Sequence, residues 1–374
     1  MTNKTQSQSI LDKVISSERD SAILEFDPRE LVSELLKTLN DREKDIITKR
    51  YSLDGDKKFT LDGIGRNYNI TRERIRQIEN IAVKKMKNIS EKIDTVKRLD
   101  SIVDDILSEY LGILAENDLV QKISRNTTSN DINYQNTKFL IDKILSENYN
   151  IYKEDDDYYT LLRTKNNDFD EFNDAISKTI ELFNKKQEPI KKSELWKTYS
   201  EAEDIYFNSD QIDEKILLKY LNASKKIKQN PLGELGLSNW KSIIPKRMSD
   251  KIYLVMKNHK KPMHFRDIAT EINQVGFDKK SAHPATVHNE LILDDKYVLV
   301  GRGIYALKKW GYESGKVSDI VEKTLKEKGP MKKEDLINEV LKKKLVKKTT
   351  VNLAIINNKN IKKNSEGKYH LEQK

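Results

Sequence analysis

The stretch Thr60–Lys87, TLDGIGRNYNITRERIRQIENIAVKKMK, decides how this part of the chain folds. Threonine caps helices with its side-chain oxygen, so a helix is predicted to begin just after Thr60. Gly65 is small enough for a second helix to cross closely, and Asn67–Ile70 has the composition of a turn. Thr71 can cap the next helix in the same way. The spacing therefore predicts a helix-turn-helix.

The second helix of this pair is predicted to have two chemically different faces. Apolar residues recur at helical spacing on one face, namely Ile75, Ile78, Ala82 and Met86. The opposite face carries Arg72, Glu73, Arg76, Gln77, Asn80 and Lys84. Arginine, glutamine and glutamate match the edges of guanine, adenine and cytosine in the major groove. This pattern favours a DNA-reading helix over the alternative, an ordinary surface helix held by intrahelical ion pairs.

The longer stretch Leu39–Lys87 resembles region 4 of the sigma-70 family of bacterial transcription initiation factors, with TRERIRQIE at Thr71–Glu79 its most distinctive string. The resemblance implies that this domain reads a −35 promoter element in double-stranded DNA. Position by position, it implies base contacts by Arg72, Glu73, Arg76 and Gln77. The resemblance also implies that Arg42 and Arg50 contact the phosphate backbone. We predict that Thr71 and Lys84 contact phosphates as well.

In that family the domain also docks on the flap tip of the RNA polymerase β subunit. The resemblance thus implies that the core of a bacterial-type RNA polymerase is a partner. Apolar residues of the two preceding helices would hold the domain together and offer a polymerase-facing groove, namely Leu35, Leu36, Leu39 and Ile47. Such stripes belong to a protein core more often than to an interface, and both interpretations stay open.

Two departures from the family stand out. Gly63 occupies a position where the family usually has an acidic or longer side chain, so the capping-box partner is missing and the helix start is weakened by up to about 1 kcal/mol. A complete sigma factor also has an aromatic-rich upstream domain that opens DNA. Residues 1–30 are too short for it and contain one aromatic residue, Phe26. We expect no unaided initiation of the usual sigma kind.

Composition limits the class of protein. The 374 residues suit several small cores, and no apolar run approaches the roughly 18 residues of a membrane span. No export signal is predicted, and the absence of cysteine excludes disulfides and thiolate chemistry. A cytoplasmic, nucleoid-associated protein without a membrane partner is therefore expected.

Charge is distributed unevenly along the chain. Residues 95–210 carry 15 basic and 24 acidic side chains, whereas residues 211–374 carry 35 and 19. The basic half is equally compatible with nucleic-acid contact and with solvated lysine-rich helices. The acidic middle should avoid DNA and face protein instead.

The chain beyond residue 95 repeats a pattern. Pro189, Pro262 and Pro330 are each followed by an apolar residue and an amphipathic helix, and each is preceded by another helix. Three stretches alternate apolar and polar residues around a turn, as β-hairpins do: Tyr149–Leu162, Lys296–Trp310 and Lys359–Leu371. This is the order of a winged helix; the alternative is four unrelated small α+β domains.

The predicted fold class is mainly α with small β-hairpin wings (α+β), an N-terminal helix-turn-helix domain followed by tandem winged-helix domains. The predicted segments are a flexible arm 1–27, the region 4-like domain 28–94, and winged-helix units 96–165, 170–245, 248–312 and 314–372. The second unit is the weakest, because residues 225–240 make a poor hairpin.

The third unit, Ser249–Gly311, resembles the HARE-HTH domain, a winged-helix module that occurs in the polymerase δ subunit, in chromatin regulators and attached to restriction enzymes. The matches are PMHFRDIATEI, HPATVHNELI and LVGRGIYAL. If these wings bind nucleic acid, the expected phosphate contacts are Lys279, Lys280, Arg302, Lys308 and Lys309.

No catalytic or metal-binding pattern is present, so we predict neither an enzyme nor a cofactor. His283 and His288 are spaced badly for a shared metal, and Glu154–Asp157 occupies a predicted hairpin tip. The leading hypothesis is a sigma-related, sequence-specific transcription factor. The alternatives are a δ-like polymerase accessory that binds the β flap without reading DNA, and the DNA-binding component of a restriction or defence system.

Overall fold

The computed structural model describes residues 17–125, 131–167, 169–202 and 211–372. Within these limits the chain forms two compact units, Met1–Glu188 with Ser193–Lys228, and Pro189–Lys192 with Gln229–Lys374. The described residues are mainly helical, with small antiparallel sheets. This confirms the predicted fold class. None of the described helices is both long enough and apolar enough to cross a bilayer.

The N-terminal part of the first unit is entirely helical. Its helices are α1 (Pro28–Leu36), α2 (Asp41–Tyr51), α3 (Leu61–Tyr68) and α4 (Arg72–Ser90). Of the predicted flexible arm, residues 1–16 lie outside the described residues, whereas residues 17–25 are helical. Ile23 and Phe26 of this segment are buried. The helix predicted from Pro28 ends at Leu36, so Leu39 lies beyond it in a turn.

The first repeat follows in the same unit. It consists of α5 (Asp94–Glu109), β1 (Ile113–Ala115), α6 (Glu116–Ile123), α7 (Ile132–Phe139) with a π-helical end at Leu140–Ile144, β2 (Asn150–Tyr152) and β3 (Leu161–Arg163). The strands pair antiparallel in the order β1-β3-β2, with Leu162 opposite Leu114 and Ile151. The hairpin predicted here is therefore confirmed.

The second repeat has the same order of elements, and its residues are divided between the two units. It contains α8 (Asp170–Lys186), β4 (Ile190–Lys191), α9 (Lys192–Ser200), α10 (Glu214–Ala223), β5 (Ile227–Gln229) and β6 (Glu234–Leu237). Within the second unit β4 pairs with β6, placing Ile190 opposite Leu235. The stretch predicted to make a poor hairpin thus contains two short strands.

The third repeat lies within the second unit. Its elements are α11 (Met248–His259), β7 (Met263–His264), α12 (Phe265–Val275), α13 (Pro284–Leu293), β8 (Tyr297–Gly301) and β9 (Ile304–Leu307). The sheet order is β7-β9-β8, with an irregularity between Leu299 and Gly301. Its core includes Ile252, Ile268 and Val287, all fully buried.

The fourth repeat is a shorter version of the third. It contains α14 (Val317–Lys328), α15 (Lys333–Lys343), α16 (Lys348–Ile356), β10 (Ile361–Lys363) and β11 (Tyr369–Leu371). A single bridge between Met331 and Tyr369 stands where the third repeat has β7 paired with β9.

The proline pattern has a structural reason. The residue after each proline is the apolar start of an edge strand or bridge: Ile190, Met263 and Met331. Proline lacks an N–H, so it fits the beginning of such a strand, and the apolar residue turns toward the core. Ile190 and Met263 are indeed 6% and 9% exposed.

Candidate nucleic-acid interface

Helices α3 and α4 meet at a turn that a glycine makes possible. Asn69 has the left-handed conformation, with φ of 53°, and the Ile70 N–H donates to the Gly65 carbonyl over 3.0 Å. A Cβ on Gly65 would lie 2.7 Å from the carbonyl oxygen of Ile70. Only glycine fits this approach, as predicted, although the turn begins at Asn69 rather than at Asn67.

Both predicted caps are present. The Thr60 hydroxyl accepts the Gly63 N–H over 3.0 Å, and the Thr71 hydroxyl accepts the Arg74 N–H over 3.2 Å. Each cap satisfies one backbone donor that the first helical turn leaves without an intrahelical partner. The start of α4 is therefore fixed at Arg72.

The face of α4 that packs against the rest of the domain is apolar and buried. Ile75, Ala82 and Met86 are fully buried, and Ile78 is partly buried. Ile75 shares a core with Ile46 of α2 and Ile64 of α3. Because three helices close on this core, the rotation of α4 about its own axis is set by packing.

The outer face of the first two turns is exposed and polar. Arg72, Glu73, Arg76 and Gln77 all lie on it, as predicted. The Arg76 guanidinium donates to both carboxylate oxygens of Glu73, over 2.6 and 2.9 Å, and Arg74 donates to Gln77 over 3.0 Å. The hydrogen bonds from Arg76 hold the pKa of the Glu73 carboxyl below its ordinary value. In this structure Arg76 and Glu73, and Arg74 and Gln77, are thus paired with each other along the helix.

The predicted phosphate contacts around this helix differ in their surroundings. Arg42 is exposed, with its guanidinium carbon 5.2 Å from the centre of the Tyr68 ring, and Lys84 is exposed on α4. Arg50 instead turns inward, donating to the Phe59 carbonyl over 3.3 Å and lying 3.7 Å from Glu79. Arg50 therefore offers less of its charge to a phosphate than Arg42 does.

Two buried carboxylates that sequence reasoning missed hold α4 against α2. Glu79 of α4 accepts a hydrogen bond from the Tyr51 hydroxyl, and burial together with this carboxylate raises the pKa of Tyr51. Glu43 of α2 accepts two hydrogen bonds from Lys85 of α4, over 2.7 and 2.9 Å. The hydrogen bond from Lys85 keeps the pKa of Glu43 below its ordinary value. Both pairs join α2 to α4.

The apolar residues predicted to offer a polymerase-facing groove lie in the core. Leu35 and Ile47 are fully buried, Leu36 is 7% exposed and Leu39 is half-buried. Helix α1 packs against α7 of the first repeat, and the Tyr51 and Phe139 rings lie 4.8 Å apart. The core interpretation therefore holds for three of the four side chains in this structure.

The phosphate contacts predicted in the third repeat are exposed but spread out. Lys279 and Lys280 lie between α12 and α13, Arg302 lies at the wing turn, and Lys308 and Lys309 follow β9. Arg302 lies before β9 and Lys308 directly after it, so the length of this strand separates them. Lys309 donates to the Tyr253 hydroxyl over 2.9 Å.

Comparison with known proteins supports the geometry of the N-terminal domain. Residues 35–88 match the family model "Sigma-70, region 4". A 60-residue stretch is 43% identical to RNA polymerase sigma factor SigA of Lactococcus lactis subsp. cremoris, covering 16% of each chain. A stretch of the same length is 47% identical to SigA of Microcystis aeruginosa and to SigA1 of Synechococcus elongatus, covering 14% and 15% of those chains.

The similarity is confined to one domain. The chain spans no more than 16% of the length of these relatives. The matched residues contain α2 and α3 in full and α4 as far as Asn88. The chain therefore contains a sigma-related DNA-binding domain of the helix-turn-helix type.

Proposed function

We propose that this chain is a transcription factor that reads a −35-like promoter element with α4. The observation that carries the proposal is the joint exposure of Arg72, Glu73, Arg76 and Gln77 on the first two turns of a capped helix. The opposite face of that helix is anchored in a three-helix core. A helix so held can enter the major groove without losing its orientation.

The side chains suit base recognition. An arginine fork pairs with guanine O6 and N7, and glutamine pairs with adenine N6 and N7. In the free protein two nitrogens of the Arg76 guanidinium donate to Glu73, so this intrahelical pair must open before the same donors can pair with guanine. Arg42, Lys84 and the Thr71 hydroxyl would contact phosphates beside the groove, with Arg50 contributing less.

Duplex titrations with the full chain test this proposal. We expect Arg76→Ala and Gln77→Ala each to cost about 1–3 kcal/mol on a duplex with a −35-like element, and much less on a scrambled duplex. Lys84→Ala is the matched control on the same helix, and it should weaken both duplexes equally and lower the salt slope by about 1. Equal losses on both duplexes for Arg76→Ala would contradict base reading.

We further propose bacterial-type RNA polymerase core as a protein partner, with the β flap as its contact. The likeness to sigma factor region 4 supports this partner. Because Leu35, Leu36 and Ile47 are buried, a partner that needs these side chains must first displace the elements that cover them, and α7 is one element packed on α1. A polymerase contact through exposed residues would need no such displacement.

The alternative is a polymerase accessory that does not read DNA. Pull-down of purified core polymerase and runoff transcription, each with wild type and Arg76→Ala, separate the two functions. A promoter reader loses promoter-specific regulation in Arg76→Ala while still binding polymerase. An accessory keeps both binding and regulation. Runoff reactions with and without a separate sigma factor show whether another protein must open the DNA.

The third repeat is proposed to be a winged-helix module of the HARE-HTH kind. Its element order and the wing turn at Arg302 support this assignment. Exposure of Lys279, Lys280 and Lys308 is compatible with phosphate contacts there. Neutralising these lysines should weaken binding of every duplex by a similar factor.

A further inference from the structure

Three rings form a column on the surface of the third repeat. The ring centres of His264 and Phe265 lie 4.5 Å apart with planes 31° from parallel, and those of Phe265 and His288 lie 4.6 Å apart with planes 34° from parallel. All three side chains are half-buried. We call His264, Phe265 and His288 the ring column. Its rings are held in place, yet part of their area remains in solvent.

The wing turn holds the column in position. The Phe265 N–H donates to the Gly303 carbonyl over 3.0 Å, and the His264 Nδ1 accepts the Arg266 N–H over 3.2 Å. A Cβ on Gly303 would lie 2.6 Å from the His264 ring. The absence of a side chain at Gly303, whose φ is 68°, therefore lets the wing lie directly against the rings.

The winged-helix fold does not require these rings. The fourth repeat builds the same helix starts, with Lys332 as the cap residue of α15 in place of His264 and Lys333 as its first residue in place of Phe265. At the fifth position of the third helix it has Asn352 instead of His288. The preceding core valines, Val287 and Val351, are both fully buried. The two imidazoles are thus an addition to the fold of the third repeat, whereas Phe265 also packs against its core.

The surroundings of the column are basic. Lys260, Lys261 and Arg266 are exposed, and the Arg266 guanidinium carbon lies 5.8 Å from the centre of the Phe265 ring. Arg302 is exposed at the wing turn beside Gly303. Asp267 is the one acidic residue in 260–267. One helical turn beyond His288, Ile292 is 62% exposed and extends the apolar surface.

We propose that the ring column binds unpaired bases of a single-stranded nucleic acid. Bases stack on aromatic and imidazole rings irrespective of sequence, and the flanking cations take the phosphates. A duplex hides the faces of its bases in its own stack, so it cannot use the column in this way. The site lies in the second compact unit and uses none of the residues of α4. It is a second nucleic-acid site with a different chemistry.

Fluorescence anisotropy with the full chain tests the site. The probes are oligothymidylate and oligouridylate of about ten nucleotides, the abasic strand of the same length, and a duplex of scrambled sequence. The abasic strand has the same phosphates without bases. We expect both base-bearing strands to bind at least about tenfold more tightly than the abasic strand, which is the effect of roughly one stacked base.

The fourth repeat supplies the decisive variant. Combining His264→Lys, Phe265→Lys and His288→Asn gives the third repeat the residues that the fourth repeat tolerates, and it increases positive charge. Stacking predicts about tenfold weaker binding of oligothymidylate despite the added charge. Phe265→Leu, which keeps an apolar side chain, should weaken binding in the same direction. Leu299→Ala, which removes an exposed apolar side chain from β8 of the same repeat, is the control and should leave the affinity for single strands unchanged.

The outcomes separate stacking from other uses of this surface. Equal binding of the abasic strand, or tighter binding by the triple variant, would overturn the proposal in favour of charge alone. Stronger binding of the duplex, lost in Phe265→Leu, would make the column part of a duplex-reading wing. Absence of binding to every strand would also overturn it and leave the column as a protein contact. None of these results depends on whether α4 reads a promoter.

Discussion

Gly65 is the position in the helix-turn-helix where one added carbon has the largest effect. A Cβ there would lie 2.7 Å from the Ile70 carbonyl oxygen, which belongs to the backbone and cannot rotate away. We expect Gly65→Ala to lower the free energy of unfolding by about 1–3 kcal/mol, the usual cost of overpacking. Duplex binding should weaken as well, because the start of α4 moves. Thermal unfolding and duplex titration measure the two effects.

Gly63 provides the matched control two residues earlier in the same helix. A Cβ there would lie 3.3 Å from the Thr60 side-chain oxygen, and the helical propensity of alanine gains up to about 1 kcal/mol over glycine. Gly63→Ala should therefore change stability by no more than about 1 kcal/mol. Equal losses for the two variants would show that the close approach at Gly65 is not what limits the turn.

Glu116, at the start of α6, makes stability depend on pH. Burial, followed by the neighbouring Asp142 carboxyl, raises the pKa of Glu116 to about 7, and the Lys138 ammonium in contact with it acts in the opposite direction. A carboxyl whose pKa is raised by folding stabilises the folded state when protonated. This contribution is complete below the ordinary value of 4.5 and is lost as the pH rises through about 7.

We therefore expect the free energy of unfolding to fall between about pH 4.5 and pH 7, and Glu116→Gln to remove much of that slope. Urea unfolding across this interval measures it. Asp20→Asn, which neutralises an exposed carboxyl in the same unit, controls for the loss of one negative charge. Parallel profiles for wild type and Glu116→Gln would assign the slope to other groups.

At the scale of an element, the Arg72–Glu79 stretch of α4 contains both exposed and buried charged residues. Arg76 is exposed, whereas Glu79, three positions later, is buried against Tyr51. Removing Glu79 leaves the Tyr51 hydroxyl without its acceptor, so Glu79→Ala should lower the free energy of unfolding by about 1–3 kcal/mol. The Glu79→Ala variant should still prefer a −35-like duplex over a scrambled one, whereas the Arg76→Ala variant should lose this preference. Loss of that preference in stably folded Glu79→Ala would place Glu79 at the DNA.

Elements that local chemistry specifies could be predicted from the sequence. The caps at Thr60 and Thr71, the glycine at the crossing and the apolar stripe of α4 all act within a few residues, and the structure has each of them. The pair of Glu43 and Lys85 joins residues 42 positions apart. No local pattern marks such a pair, and none marks the proximity of Arg50 to Glu79.

The strands of the repeats show the same division between features that the local sequence predicts and features that depend on distant residues. The proline and apolar residue at each edge strand could be recognised because they follow a fixed local rule. Strands β5 and β6 could not be recognised from the sequence. They are three and four residues long and are interrupted by lysine and glycine, so apolar and polar residues hardly alternate in them. Pairing of β6 with Ile190, more than forty residues earlier, supplies what the local sequence lacks.

At the scale of the whole molecule, the helix-turn-helix domain and the first repeat form one packed body. Their sequences look self-contained, yet α1 packs on α7, and Lys87 of α4 donates to Ser146 and Glu147 over 2.9 and 2.7 Å. Sequence periodicity reports which face of a helix is apolar but not which neighbour covers it. For this reason the covering of Leu35 and Leu36 could not be foreseen.

The stability of the DNA-reading domain should accordingly depend on a residue outside it. Phe139 of α7 is 1% exposed and its ring lies 4.8 Å from that of Tyr51 in α2. Phe139→Ala removes a large buried side chain, which typically costs about 3–5 kcal/mol. Hydrogen exchange of the full chain should then accelerate in peptides from α2 and α4 as well as in α7. Duplex binding should weaken although none of the proposed DNA contacts has changed.

Phe172→Ala is the matched control, since Phe172 is equally buried but packs against Tyr158, Phe169 and Tyr220. It should accelerate exchange first around α8 and α10. If α2 exchanged at its wild-type rate in Phe139→Ala, the two domains would be independent, and a partner could reach the buried face of α1 without cost to the reading helix.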